Sequence, residues 1–247
     1  MYVEKFGVEN NYGTCNYNII KDRIGIRSIC YEEAYMRHES TKEHWNEIYA
    51  WLETDELGWY EEFPESSLRL LSKCSINKDE PILDVGAGAS AFIDHLINQG
   101  FTNVIATDIS EKALDKLKRR LENSKGEKAV RWIIDDITNP IHIQKLGDIA
   151  IWHDRAMLHF LLEEKDQIRY LSLLKKVVKK NGYVIIATFS LKGAKKCSGL
   201  DVKNYDQNML AKFLGEDFRL IEYFDYIYHM PSGTARPYIY TLFQKVS

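Results

Sequence analysis

From Pro81 onward the chain alternates short apolar runs with stretches whose apolar residues recur every three or four positions. Pro81 to Val85, Val104 to Thr107, Val130 to Ile134, Ile149 to Trp152 and Tyr183 to Phe189 read as strands buried on both faces. Between them lie helical stretches. Ser90 to Asn98 is closed by Gly100, a residue suited to the left-handed position after a helix. Ser110 can cap a helix carrying Leu114, Leu117 and Leu121 on one face. Glu163 to Lys180 forms another, stopped by Asn181-Gly182. Strands separated by helices predict an α/β fold with a doubly wound parallel sheet. The end of the chain breaks that rhythm. After a helix near 206–214, Phe218 to Tyr228 and Arg236 to Lys245 read as an antiparallel hairpin about Pro231-Ser232-Gly233, which makes seven strands in a mixed sheet.

Upstream the pattern is weaker. Residues 1–40 hold no sustained period and read as an N-terminal extension that packs on another surface; residues 41–247 form the main domain. Trp45, Ile48, Tyr49 and Leu52 fall at helical spacing, predicting an amphipathic helix near 42–53, followed by a loop around Gly58 and a second helix from Pro64 to Ser72.

Composition narrows the class. Apolar residues at 45% give a chain of 247 residues ample material for a core. Lys plus Arg number 33 and Asp plus Glu 36, a net charge of -3, which argues against life on a nucleic-acid backbone. No apolar run is long enough to span a membrane, and Met1 to Asn11 lacks the apolar core of a secretory signal. Cys15, Cys30, Cys74 and Cys197 are widely spaced, so neither a disulfide framework nor a metal site is expected, and a reducing cytoplasm fits.

The chemistry concentrates at Asp84-Val85-Gly86-Ala87-Gly88-Ala89-Ser90-Ala91, where a strand turns into a helix. Gly86 and Gly88 allow a tight turn and close approach of a ligand, and with Ala91 they satisfy the loose pattern of nucleotide-binding loops. Charge separates the candidate ligands. Between Ile82 and Ile97 the charged residues are Asp84 and Asp94, with no Lys or Arg. A pyrophosphate is repelled by such a loop, whereas the ammonium and sulfonium of S-adenosylmethionine (SAM) are attracted. One contact between unit charges at ~4 Å amounts to about 4 kcal/mol at an effective dielectric near 20. Asp108 ends the next strand, where an acid can hold ribose hydroxyls. Asp136, or failing that Asp135, ends the third, where a carboxylate can accept from an adenine amino group. The three strand ends converge on the crevice where doubly wound sheets bind ligands.

With Leu83-Asp84-Val85-Gly86-Ala87-Gly88, Asp108-Ile109-Ser110, Asp135-Asp136-Ile137 and Asn181-Gly182-Tyr183, residues 42–247 resemble the class I SAM-dependent methyltransferases. The resemblance implies a Rossmann-like sheet ending in an antiparallel hairpin. It also implies SAM as cofactor, with S-adenosylhomocysteine as product. The cofactor contacts it implies are Asp84, Gly86, Gly88, Asp108, Ile109, Asp135, Asp136, Ile137 and Trp152, under a lid of Trp45, Tyr49 and Trp59. Ser90 departs from the pattern, since many members have a third glycine there. His44-Trp45-Asn46-Glu47-Ile48-Tyr49 is similar to methyltransferases of elongation-factor lysines, and Ile151-Trp152-His153-Asp154-Arg155-Ala156 to thiol methyltransferases. Trp152-His153-Asp154-Arg155 with Cys197-Ser198-Gly199-Leu200 looks like a bacterial branch of the family.

The acceptor is expected over the ends of the fourth and fifth strands, where His153 and Asp154 can orient or deprotonate it; a structural ion pair of Asp154 with Arg155 is the competing reading. The expected acceptor is a small molecule, ahead of a protein lysine, with nucleic acid third. The eight acids between Glu43 and Glu65 are either a solvated face or a dock for a basic partner. Two rivals remain at this point: an NAD-dependent oxidoreductase and a SAM-binding module without chemistry.

Overall fold

The computed structural model describes the backbone of residues 5–10, 13–22, 25–29, 41–122 and 127–247, with side chains over 41–122 and 128–247. The chain divides into two compact units, Met1–His44 and Trp45–Ser247. In the first, β1 (Lys5–Asn10), β2 (Gly13–Asp22) and β3 (Gly25–Ile29) form an antiparallel sheet in that order. Backbone pairing of this kind needs no alternating apolar face, so the sequence offers little cue to it. The expectation that residues 1–40 pack on another surface concerns side chains outside the described residues, as do Cys15 and Cys30.

The helix α1 (Thr41–Trp51) is followed by α2 (Glu65–Leu71). The second unit is then built on β4 (Ile82–Val85), α3 (Phe92–Asn98), β5 (Val104–Asp108), α4 (Glu111–Leu121), β6 (Val130–Ile134), β7 (Ile149–Arg155), α5 (Glu164–Val177) and β8 (Val178–Phe189). The short pair β9 (Lys196–Cys197) and β10 (Leu200–Asp201), then α6 (Gln207–Leu214), β11 (Phe218–His229) and β12 (Ala235–Lys245), complete it. The seven-stranded sheet has the order β11-β12-β8-β7-β4-β5-β6. β4 through β8 run parallel to one another, while β12 pairs antiparallel with β8 and β11 antiparallel with β12. All four residues of β4 and all five of β5 are buried, as continuous apolar runs in a covered parallel sheet must be.

Two apolar layers cover the sheet. Ile82, Phe92, Leu117, Ile151, Ile185 and Tyr240 gather on one face; Leu83, Val85, Trp152, Tyr170, Leu174 and Phe243 on the other. Since side chains alternate along a strand, neighbours such as Ile82 and Leu83 belong to opposite layers.

The expected helix boundary at Asn181-Gly182 is corrected. α5 ends at Val177, and Val178 already pairs with Ile149 on β7. Val178 is 2% exposed, so its side chain gains more in the apolar layer than in another helical turn. Lys245 donates to the carbonyls of Lys175 and Val178, satisfying groups that a helix end leaves open. Asn181 adopts φ 62° inside the irregular start of β8, a conformation Asn tolerates well. The other boundary to move is that of β7, which extends past Trp152 through His153 and Asp154.

Candidate active site

At the carboxyl end of β4 the chain turns through Gly86 (φ 63°) and Gly88 (φ 55°) into α3. Both lie in the left-handed region, which explains why this loop needs glycine. Asp108, at the end of β5, ties the turn down. Its Oδ2 accepts from Gly88 N at 2.9 Å and its Oδ1 from Ser110 N at 2.8 Å. Ser110 caps α4 by accepting from Ala113 N, and its hydroxyl donates to Asn46 on α1. Burial pushes the Asp108 carboxyl up to about 6, the backbone amides resist that shift, and the Asp84 charge adds to it. Ile109 lies beside it, half-buried.

Asp84 is 2% exposed, with Oδ1 2.6 Å from His153 Nδ1. Its Oδ2 is buried without a hydrogen-bonding partner. These two residues face each other in the parallel register of β4 and β7. The His153 ring stacks on Phe92 at 4.0 Å, and its Nε2 lies 2.9 Å from Ser67 Oγ on α2.

Asp154 points the other way, as the next residue of a strand must. It accepts from the Tyr170 hydroxyl at 2.8 Å and from the amides of Met157 and Leu158. The Tyr170 hydroxyl in turn accepts from Trp152 Nε1 at 2.9 Å. Burial raises the Asp154 carboxyl to about 6 against these donors. Of His153 and Asp154, both expected to face the acceptor, His153 lines the cleft and Asp154 turns to the other face of the sheet. One is held between Asp84 and Ser67, and the other supports the chain after β7 from the far side of the sheet. Trp152, expected beside the cofactor, has its fully buried indole in the layer with Tyr170 and Leu174.

The two acids after β6 divide their work. Asp135 is buried and its carboxylate accepts from the amides of Ile141, His142 and Ile143. Asp136 is half-buried, and its Oδ1 accepts from the amide and hydroxyl of Thr138. Ile137 is buried next to it. Asp136 is thus the acid with acceptor capacity left at this strand end.

Over the glycine loop stands an aromatic cluster. Trp45 meets Trp59 edge-on at 5.7 Å and Phe160 at 5.0 Å, and Tyr49 meets Trp59 at 5.9 Å. Tyr49 is buried, and burial together with the Asp108 charge keeps its hydroxyl protonated. Below the cluster, a cleft of about 480 Å³ (its open mouth included) is lined by Ser67, Asp84, Gly86, His153, Arg155 and Glu61, among others.

Sequence reasoning did not single out Arg120, and offered Arg155 only as an ion-pair partner of Asp154, whereas its charge partner is Glu61. Arg155 is largely buried, its side chain 12% exposed, and donates to the Tyr240 hydroxyl and the Trp59 carbonyl. Its Nη2 lies 3.0 Å from Glu61 Oε2, a charge contact outside hydrogen-bonding geometry. Its guanidinium also lies over the rings of Tyr228 and Tyr238. Arg120, from α4, clamps Asp94 and the carbonyls of Ala89 and Ser90. The loop therefore does have a nearby cation, spent on Asp94 rather than on Asp84. His159 is fully buried with neither ring nitrogen partnered, and burial plus Arg155 lowers it to about 3. Burial pushes the Cys197 thiol up to about 11, so it is a protonated, unreactive group.

Residues 82–182, from β4 into β8, match the family model described as "Methyltransferase domain". Residues 82–182 thus form a methyltransferase domain, and SAM is the cofactor that fits its site. The chain is 28% identical over 159 residues to EEF1A lysine methyltransferase 2 of Danio rerio, covering 60% of this chain and 68% of that protein. It is 25% identical over 161 residues to the Mus musculus protein of the same name, of which the match spans 65%. In fold, it resembles the Burkholderia thailandensis 1,6-didemethyltoxoflavin-N1-methyltransferase, solved with its acceptor and S-adenosylhomocysteine, at a TM-score of 0.62 and 16% identity over 99% of this chain and all of that one. A SAM-dependent methyltransferase from Anabaena variabilis aligns at 0.63 and 15% identity over 88% and 96%. The methyltransferase match speaks against the oxidoreductase alternative. The residues present fit the cofactor: a bare buried carboxylate oxygen at Asp84 suits its ammonium. Among the described residues, no group of side chains could hold a metal ion, and no helix is long and apolar enough to cross a membrane.

Proposed function

We propose that the protein transfers a methyl group from SAM to a small-molecule acceptor held under the aromatic cluster. In this reading Asp84 takes the ammonium of the cofactor, Asp108 its ribose hydroxyls, and Asp136 with Ile137 its adenine. Trp45, Tyr49 and Trp59 cover it. SAM supplies an electrophilic methyl on a sulfonium, and the protein supplies alignment and exclusion of water.

The observation that carries the acceptor class is enclosure. The carboxyl ends of β7 and β8 lead into a setting of buried His159, Phe189 and Tyr238 beside the largely buried Arg155, and Phe160 joins them to the Trp45–Trp59 pair. Such a setting favours a compact, largely uncharged acceptor over a protonated side chain on a protein surface. The fold-level likeness to the toxoflavin enzyme agrees with it. A protein-lysine acceptor is the second reading, favoured by the EEF1A methyltransferase relatives and by acids near Trp59 such as Glu61, Glu62 and Glu65.

The test is incubation with radiolabelled SAM and, separately, the low-mass and protein fractions of a cell lysate. Label in small molecules alone supports the first reading. Label in protein, released as methylated lysine on hydrolysis, replaces it with the second. SAM binding without transfer to either fraction identifies a non-catalytic module.

A further inference from the structure

Three buried polar groups on three different elements form one chain beneath the cleft. Ser67 comes from α2, His153 from β7 and Asp84 from β4. Ser67 and His153 are 0% and 1% exposed, and all three residues line the cleft beside Gly86. The hydrogen positions follow from chemistry. A carboxylate only accepts, so His153 Nδ1 carries the proton toward Asp84 Oδ1. In the neutral ring Nε2 is then an acceptor, and the Ser67 hydroxyl donates to it. The Phe92 ring, stacked on the imidazole, removes its freedom to swing.

The consequence falls on Asp84. One oxygen is pinned by His153, and the other is buried with no partner. A bare carboxylate oxygen out of water is costly unless a cation or donor meets it. The basic group lining the same cleft, Arg155, is already spent on Tyr240, Trp59 and Glu61. Resting on the cofactor reading above, we infer that Ser67 and His153 are positioning residues which fix Asp84 so that its free oxygen receives the α-ammonium of the cofactor. They act through Asp84, and their effect is confined to the amino-acid end of the ligand.

That confinement makes the inference testable without knowing the acceptor. Calorimetric titration of the full chain compares S-adenosylhomocysteine with 5′-methylthioadenosine, which keeps the adenosine and the thioether but lacks the amino-acid end. His153→Leu should weaken S-adenosylhomocysteine by roughly ten- to hundredfold, the range for losing a hydrogen bond to a charged group, and leave methylthioadenosine unchanged. His153→Asn keeps an N–H near the Nδ1 position and should restore most of the loss. Ser67→Ala should show the same selectivity with a smaller loss, and it carries the test if His153→Leu does not fold. Equal weakening of both ligands marks a merely structural role and overturns the inference, as does no change in either. Failure of the unsubstituted protein to bind S-adenosylhomocysteine overturns the cofactor reading itself.

Discussion

The phenol of Tyr49 stands directly over the α-carbon of Gly88, so close that a methyl group there would overlap its oxygen. Gly88 also holds φ 55°, which costs an L-residue about 1–2 kcal/mol. Gly88→Ala should therefore lower stability in urea unfolding and weaken S-adenosylhomocysteine binding by more than about tenfold, a loss of over ~1.4 kcal/mol. Adding Tyr49→Ala should relieve the overlap and leave the backbone strain, recovering part of the stability. Full recovery would mean that the positive φ costs nothing here.

Asp108 predicts a pH dependence for cofactor binding. Its pKa is raised to about 6, so the free protein takes up a proton there as pH falls through that value. Ribose hydroxyls need the ionised form as acceptor, hence binding should weaken below about pH 6, approaching tenfold per pH unit. In Asp108→Asn the affinity should be low and this slope absent. A wild-type affinity that is flat from pH 7 to pH 5 would contradict the assignment.

For Asp154 a scaffold role and a catalytic role predict different losses. Asp154→Asn presents an NH2 group to donors from Tyr170, Met157 and Leu158. Unfolding free energy should drop by about 2–4 kcal/mol, as several buried partners go unmet. Binding of S-adenosylhomocysteine to the folded fraction should not change. Normal stability with lost turnover would return Asp154 to the chemistry.

His159 predicts a stability change with a definite sign. Its folded pKa of about 3 lies below the ordinary 6.5, so the unfolded chain binds the extra proton between those values. The fold accordingly loses stability through His159 as pH falls from about 6.5 toward 3, by at most ~1.4 kcal/mol per pH unit. His159→Phe removes this loss and two unpartnered nitrogens. Denaturant melts should show the variant more stable than wild type, with the gap widening below pH 6.5.

Much of the site was legible along the chain because its parts are strand ends. A strand that must be buried on both faces announces itself as an apolar run, and the polar residue terminating it is where the sheet meets its crevice. Asp84, Asp108 and Asp136 were readable on those grounds, as were the Gly86 and Gly88 turn and the Ser110 cap. Among the aromatic residues of α1, which the helical spacing placed on one face, Tyr49 is buried and stands over the loop.

What the linear pattern left open was direction and pairing. His153 and Asp154 look equivalent as consecutive residues, yet continuation of β7 through both sends them to opposite faces. Asp135 and Asp136 look interchangeable until three amides from residues 141–143 occupy the first. Arg120 lies far along the chain from Asp94, and Ser67 farther still from His153; only the packing of helices on the sheet joins them. Local periodicity and turn chemistry depend on neighbours a few residues apart and are written in order. Which buried polar group meets which partner depends on elements brought together by the burial of apolar surface, and that became definite only when the layers closed.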